Sequence, residues 1–280
     1  MVRFLVLAFS SLTLAALSAC SDMKSRPETA DKLKPILVQV NAPTAADPAY
    51  QPPVWGDKVR LDFHFIAPTE LGEITAKSEF PGGEEAAEEL EEAVSSASIP
   101  AFGNLPIILP APMPVLIGGP EVDKSYPGLQ HIVVHSEVQL PTAEVLTKFI
   151  PETAARDFVR FRYQISVSDG TRNIPVTGDF PAYRAATVPG ADWNVYSSAI
   201  VSPASGSETG LTVDVNAEVV NPQNEAIKIA WFTSQGEIKN RRASETEWKL
   251  PGAGAYTLVF TVRGKQSRTA TLGFRTITAP

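Results

Sequence analysis

A single cysteine, Cys20, stands in 280 residues. No intrachain disulfide can form, and a structural zinc site built on several thiolates is excluded, so the fold must be held by packing. Histidine is nearly as scarce, with three in the chain, which leaves few candidates for metal ligation or general acid–base work. Basic charge is in deficit, 24 Lys and Arg against 31 Asp and Glu. With no long basic run to neutralise a row of phosphates, nucleic-acid binding is disfavoured. There is no Gly-rich phosphate loop and no Gly-x-Ser-x-Gly turn, and the nearest segment, Gly206-Ser207-Glu208-Thr209-Gly210, has the wrong spacing. What the chain does contain is ample apolar residue, 44%, enough for a substantial core and too much for global disorder.

The first twenty residues have their own character. A short positive start, Met1 to Arg3, precedes an apolar run from Phe4 to Leu17 broken only by Ser10, Ser11 and Thr13. That is the pattern of a secretory signal, and it is too short to span a bilayer, which takes roughly twenty apolar residues. Leu17-Ser18-Ala19-Cys20 follows and resembles the lipobox of bacterial lipoproteins. The resemblance implies removal of residues 1–19 and lipidation of Cys20, with the membrane as a partner through the attached acyl chains. At about 0.8 kcal/mol per buried methylene, several chains would make the attachment effectively permanent. Ser21 stands at the second mature position, where the family places Asp to retain a lipoprotein in the inner membrane. The outer membrane is therefore the expected destination, on its periplasmic side or at the cell surface. Residues 20–33 read as the lipidated cysteine and a flexible polar tether.

From residue 34 onward the pattern is alternation. Ile36, Val38 and Val40 are expected on one strand face, and Val59, Leu61, Phe63 and Phe65 on another, with Arg60, Asp62 and His64 turned away. His131 to Leu140 is a further strand. Val159, Phe161, Tyr163, Ile165 and Val167 alternate with polar residues and run into Asp169-Gly170, which predicts a hairpin. Between these strands, Val145, Leu146, Phe149 and Ile150 fall at helical spacing, with Thr142 as cap and Pro151 as interruption. After Val188-Pro189-Gly190, the candidate boundary between domains, Leu211 to Val219, Ile227 to Trp231, Trp248 to Leu250 and Tyr256 to Val262 alternate between turns. Short strands punctuated in this way predict sandwiches.

The segment from Trp193 to Pro280 resembles the Ig-like and PKD-like repeats of bacterial envelope proteins. It does so through Ile229-Ala230-Trp231-Phe232, Trp248-Lys249-Leu250-Pro251 and the strand from Gly254 to Val262. The first block looks similar, apart from a large insertion at about 67–130. The expected architecture is all-β: two tandem Ig-like β-sandwiches, over 34–187 and 193–280, the first with a helix- and proline-containing insertion. Such folds host adhesion, spacing and ligand binding alike, so the resemblance says little about activity.

Candidate sites are few. His131 and His135 would share a face on a helix, but on a strand they stand about 13 Å apart, too far to share one ion. No metal ligand, catalytic residue or cofactor site is assigned. The run from Glu84 to Glu92 carries strong helix formers and reads as a solvated acidic helix rather than a calcium loop. Trp231 and Trp248 fit core positions better than a sugar groove. The unusual feature is the uncharged, proline-rich stretch from Ala93 to Pro120, an extended loop partly buried on its own sandwich. Its accessible end, Leu105, Ile107, Ile108, Leu109, Met113, Val115, Leu116 and Ile117, is the expected contact with another envelope protein. Two readings result: a non-catalytic, membrane-anchored structural or interaction protein, and, as the alternative, a carbohydrate-binding or hydrolytic protein whose site is assembled from distant residues.

Overall fold

The computed structural model describes residues 29–41, 51–81, 88, 106–187, 197–221 and 224–280. Cys20, the acidic run apart from Glu88, Leu105, the Val188-Pro189-Gly190 boundary and Trp193 lie outside the described residues.

The chain forms two Ig-like β-sandwiches. In the first, one sheet orders β1 (Lys34–Val40), β2 (Lys58–Ala67) and β7 (Gln130–Gln139), with β5 (Val115–Leu116) and β6 (Glu121–Asp123) both on the far side of β7. The facing sheet is built on β8 (Phe158–Ser168), flanked by β9 (Asn173–Tyr183) on one side and by β3 (Thr75–Glu79) and β4 (Ile108–Pro110) on the other. Inward residues of β2 and β8 alternate as the period of two dictates: Val59, Leu61, Phe63 and Phe65 meet Val159, Phe161, Tyr163, Ile165 and Val167 in one core. The β8–β9 hairpin turns at Asp169-Gly170, where the Asp169 carboxylate accepts from the Thr171 and Arg172 amides.

The expected helix is present as α1 (Ala143–Phe149), capped by Thr142, and a 3₁₀ turn from Pro151 follows it. Of its four spaced apolar residues, Leu146 and Ile150 enter the core and Val145 and Phe149 remain exposed.

Two sequence expectations are corrected in this sandwich. Ile36 does not share a face with Val38 and Val40, because a bulge between Pro35 and Leu37 shifts the register and turns Ile36 outward. The segment before β1 is also no free tether from Thr29 on. Thr29 bridges to Thr233, Ala30 and Leu33 are fully buried, and the buried Lys34 ammonium reaches the Asp31 carboxylate at 2.5 Å and the Thr29 carbonyl.

The second sandwich pairs a sheet of β10 (Ser197–Ser202), β12 (Thr212–Val220), β15 (Glu245–Lys249) and β14 (Glu237–Ile238) with a sheet of β11 (Ser207–Glu208), β17 (Ala270–Ala279), β16 (Gly254–Gly264) and β13 (Ile227–Thr233). Trp231 and Trp248, both with no exposed surface, fill its core with Leu258, Phe260 and Val262. Each indole N–H is satisfied by a backbone carbonyl, that of Ala243 for Trp231 and of Gln235 for Trp248. The Tyr256 hydroxyl donates to the Gly252 carbonyl at 2.9 Å and fixes the start of β16. Among the described residues no helix is long and apolar enough to cross a membrane.

Candidate functional site

The outward faces of β2 and β16 should be polar in isolated sandwiches, yet Asp62, His64, Ile66, Thr257, Val259 and Thr261 are all buried. Ile66 and Val259 are buried by each other's sandwich, and Thr257 meets Pro127 of the first. Ala30, Ile36, Leu37, Ile66 and Leu129 of the first pack with Val259, Phe232, Leu272 and Phe274 of the second in a separate apolar cluster. Fully burying one such side chain is worth roughly 1.5 to 3 kcal/mol, so this cluster is a substantial cohesive term.

Polar contacts secure both ends of the junction. At one end the Thr257 hydroxyl donates to the Pro127 carbonyl at 2.9 Å and the Ala30 amide to the Thr233 carbonyl at 2.9 Å. Gly128 fits here because its φ of +75° suits glycine and because any Cβ would stand 3.0 Å from that of Ser234. At the other end the β16–β17 turn docks on the first sandwich. Arg268 gives two hydrogen bonds to Asp179, Arg160 gives one to the same carboxylate, and Arg160 also reaches the Gln266 carbonyl. The turn is held in shape by Glu225, whose carboxylate accepts from the Gln266 and Ser267 amides. Burial opposes the charge on Asp179, but Arg268 and Arg160 outweigh it and hold the carboxyl below its ordinary range. From Thr257 to Gly264, where the turn that carries Arg268 begins, β16 covers about 23 Å at strand rise, so the sandwiches lie lengthwise side by side.

All three histidines gather on this face. The β2–β7 register sets Asp62 opposite His135 and Ile66 opposite His131, which puts His131 and His135 on the side of Asp62 and His64. His64 Nδ1 lies 3.0 Å from His131 Nε2, His64 Nε2 lies 2.8 Å from Gln39 Oε1, and Gln39 Nε2 donates at 2.9 Å to the Ala270 carbonyl of the second sandwich. A carbonyl only accepts, so the Gln39 amide is fixed with its nitrogen toward Ala270. Its oxygen then requires a donor at His64 Nε2, neutral His64 has an acceptor at Nδ1, and His131 Nε2 must be the donor to it. The direction of the whole relay follows from one backbone carbonyl. The His131 ring lies 4.8 Å from that of Phe274, which itself stacks on Tyr126 at 4.3 Å. Burial, and after it the neighbouring His131, push His64 down to about 3, and burial lowers His131 too, against the pull of Asp123.

A second group adjoins it. His135 Nδ1 lies 2.7 Å from Asp62 Oδ1 and 3.0 Å from the Arg60 guanidinium, its Nε2 lies 3.3 Å from Glu121, and Arg60 donates to Asp62 at 2.8 Å. Among the described residues no three His, Cys, Asp or Glu side chains are grouped to hold a metal ion. This second group lies wholly within the first sandwich, where the Asp62 carboxylate is shared by Arg60 and His135.

The residues expected to contact a partner separate into two sets. The Arg160 amide donates to the Ile107 carbonyl and the Ala111 amide to the Arg162 carbonyl, which flank β4 (Ile108–Pro110) and make it an edge strand beside β8 rather than a loop. Its prolines are compatible with an edge. Ile107 is 3% exposed and Leu109 packs on the core, which removes Ile107 from any contact surface; Ile108 and Leu116 are half-buried. Met113, Val115 and Ile117 are open, at 56%, 68% and 42%, and Val122 of β6 joins them as an exposed apolar residue on the same side of β7.

Elsewhere, a groove of about 670 Å³ on the second sandwich is lined by Asp214, Lys239, Glu245 and Glu247 among others, with no aromatic ring in its lining. Lys239 is paired with Glu247 there at 2.9 Å.

No protein-family model and no curated protein matches the chain. Among solved structures it is similar to the fibronectin(III)-like modules of Clostridium thermocellum CbhA, at 10% identity and a TM-score of 0.27 over 87% of this chain and 93% of that one. It is similar to the N-terminal Ig1-2 module of the Drosophila receptor protein tyrosine phosphatase DLAR, at 9% identity and a TM-score of 0.24 over 87% and 98%. It also matches an endo-fucoidan hydrolase of glycoside hydrolase family 107 at 12% identity and a TM-score of 0.23, over 59% of this chain. The chain spans 22% of that hydrolase's length. The assignment of two Ig-like sandwiches rests on the sheets and cores themselves.

Proposed function

We propose that this chain is a lipid-anchored envelope protein whose two sandwiches act as one rigid, non-catalytic body that presents a surface to another envelope component. The observation that carries the reading is the side-by-side junction. Two domains strung for flexible reach need no buried contact, whereas here an apolar cluster, a histidine relay and the Arg268–Asp179 pair join them along their length. The anchor rests on Leu17-Ser18-Ala19-Cys20, and Ser21 in place of Asp favours the outer membrane. About nine residues separate Cys20 from Thr29, a reach of at most roughly 30 Å. Thr29 is bonded to the second sandwich at Thr233. On this reading the tether is rooted at the junction, and both sandwiches stand beside the bilayer rather than in file away from it.

The surface offered to the partner is the open edge with Met113, Val115 and Ile117, while Leu109 and Leu116 pack on the core. The test is fractionation of wild type and Cys20→Ser with acyl labelling, followed by mild crosslinking in the native cell. Wild type should label, fractionate with the outer membrane and yield a discrete crosslinked partner. Acyl labelling that persists in Cys20→Ser would refute the anchor. The second reading, a carbohydrate-binding or hydrolytic protein, draws on the groove with Asp214, Glu245 and Glu247. Glycan binding lost in Asp214→Ala would favour it.

A further inference from the structure

The relay from His131 through His64 and Gln39 to Ala270 crosses the junction in one direction only, and it requires a neutral His64 with Nδ1 free to accept, whereas His131 donates from Nε2 whether or not it carries a second proton. We propose that this relay is an acid-released latch: when His64 and His131 take up protons, the two sandwiches part while each keeps its own core.

A protonated His64 carries hydrogen on both nitrogens and so points one at the N–H of His131 across 3.0 Å. His131 is packed beside the stacked rings of Tyr126 and Phe274, which restricts its turning away. Nor does the second sandwich offer compensation. Its packed strands β13, β16 and β17 contain no acidic residue, and their charged residues are Lys228, Arg263 and Arg275. Arg263 stands directly across from Ala270, where the relay ends. On the first sandwich Asp62 and Asp123 favour a charged ring, and Arg60 and His135 oppose it. Gln39 of β1 is neutral, Tyr126 ionises far above this range, and Glu121 of β6 is engaged with His135. Charged rings are thus held against an apolar and cationic surface.

Once the sandwiches separate, both rings reach water and titrate near the ordinary 6.5. Lowering the pH from about 7.5 to about 4.5 then favours the open form about a hundredfold for each histidine that the closed junction keeps neutral. Asp179, held below its ordinary range, keeps its pairs with Arg160 and Arg268 over the same interval. The Arg268 end therefore stays tied, and the end with Thr29, Gly128 and Ser234 swings away.

Spin labels on Glu70→Cys and Glu237→Cys, in the full chain carrying Cys20→Ser, report that swing. The tryptophans report the cores, Trp55 in the first and Trp231 and Trp248 in the second. The latch predicts a longer label distance at about pH 4.5 than at about pH 7.5, reversible and without change in tryptophan emission. The double variant His64→Gln/His131→Gln, checked by the same distance to be closed at about pH 7.5, should stay closed in acid, and His135→Gln should open as wild type does. An unchanged wild-type distance, equal opening in the double variant, or a tryptophan shift that accompanies the distance change would each overturn the latch. If the double variant is not closed at neutral pH, the wild-type response read against His64→Gln alone decides. Removing His64, the relay's acceptor, must cut the acid-induced change in the open-to-closed ratio about tenfold or more, and no reduction overturns the proposal.

Discussion

Arg268 reaches from the second sandwich to Asp179 of the first with two hydrogen bonds, 3.0 and 3.3 Å long, and the same carboxylate takes Arg160 at 2.5 Å. Removing the carboxylate leaves two guanidinium groups facing each other with nothing between. Asp179→Ala should cost about 2 to 3 kcal/mol and lower the melting temperature by several degrees. The sign of the pH dependence follows from the lowered value of Asp179. Its contribution is complete above the ordinary carboxyl value of 3.8 and is lost as the pH falls through the lowered one. Melting curves of wild type and variant should therefore differ at neutral pH and converge in strong acid.

At the opposite end of the junction, Gly128→Ala would place a methyl group 3.0 Å from Ser234 on a backbone with φ of +75°. The backbone strain and the overlap together should cost about 2 to 4 kcal/mol. Because the overlap is between sandwiches, hydrogen exchange should quicken at Thr257 and Ala30 before it does in either core.

Much of each sandwich was legible because strand alternation and turn chemistry are local. The inward faces of β2, β8, β12 and β16, the Asp169-Gly170 hairpin and the Thr142 cap all follow from neighbours in sequence. The junction was not legible in the same way. Gln39 and Ala270 are 231 positions apart, and the only mark of the bulge that turns Ile36 outward is Pro35, which is equally at home on a regular edge strand. A trace of the second buried face did exist. Phe63-His64-Phe65-Ile66-Ala67 and Leu258-Val259-Phe260 break the polar alternation expected of a strand with one wet side. The histidines looked remote from each other along β7, and the unseen element was His64, brought beside His131 by strand pairing.

Ser136 interrupts the inward series Ile132, Val134, Val138 on β7, and its hydroxyl is buried without a hydrogen-bond partner among the described residues. Ser136→Ala removes an unsatisfied polar group from an apolar site. It should raise stability by about 1 kcal/mol in denaturant unfolding, with no change in the slope.

The proline-rich segment separates fold from surface. Ile107→Ser should destabilise the first sandwich by about 2 to 4 kcal/mol, since that side chain is part of its core. Met113→Ser and Val115→Ser should each change stability by no more than about 0.5 kcal/mol while weakening capture of the crosslinked partner. Unimpaired capture by a Met113→Ser/Val115→Ser double variant would exclude this edge as the contact surface.

The most direct test of a single rigid body is rotational diffusion by backbone ¹⁵N relaxation, in the full chain carrying Cys20→Ser at about pH 7.5. Side-by-side union predicts that amides of β8 and of β12, one from each sandwich, share the same correlation time and the same diffusion tensor. Separate and shorter correlation times for the two sandwiches would contradict it.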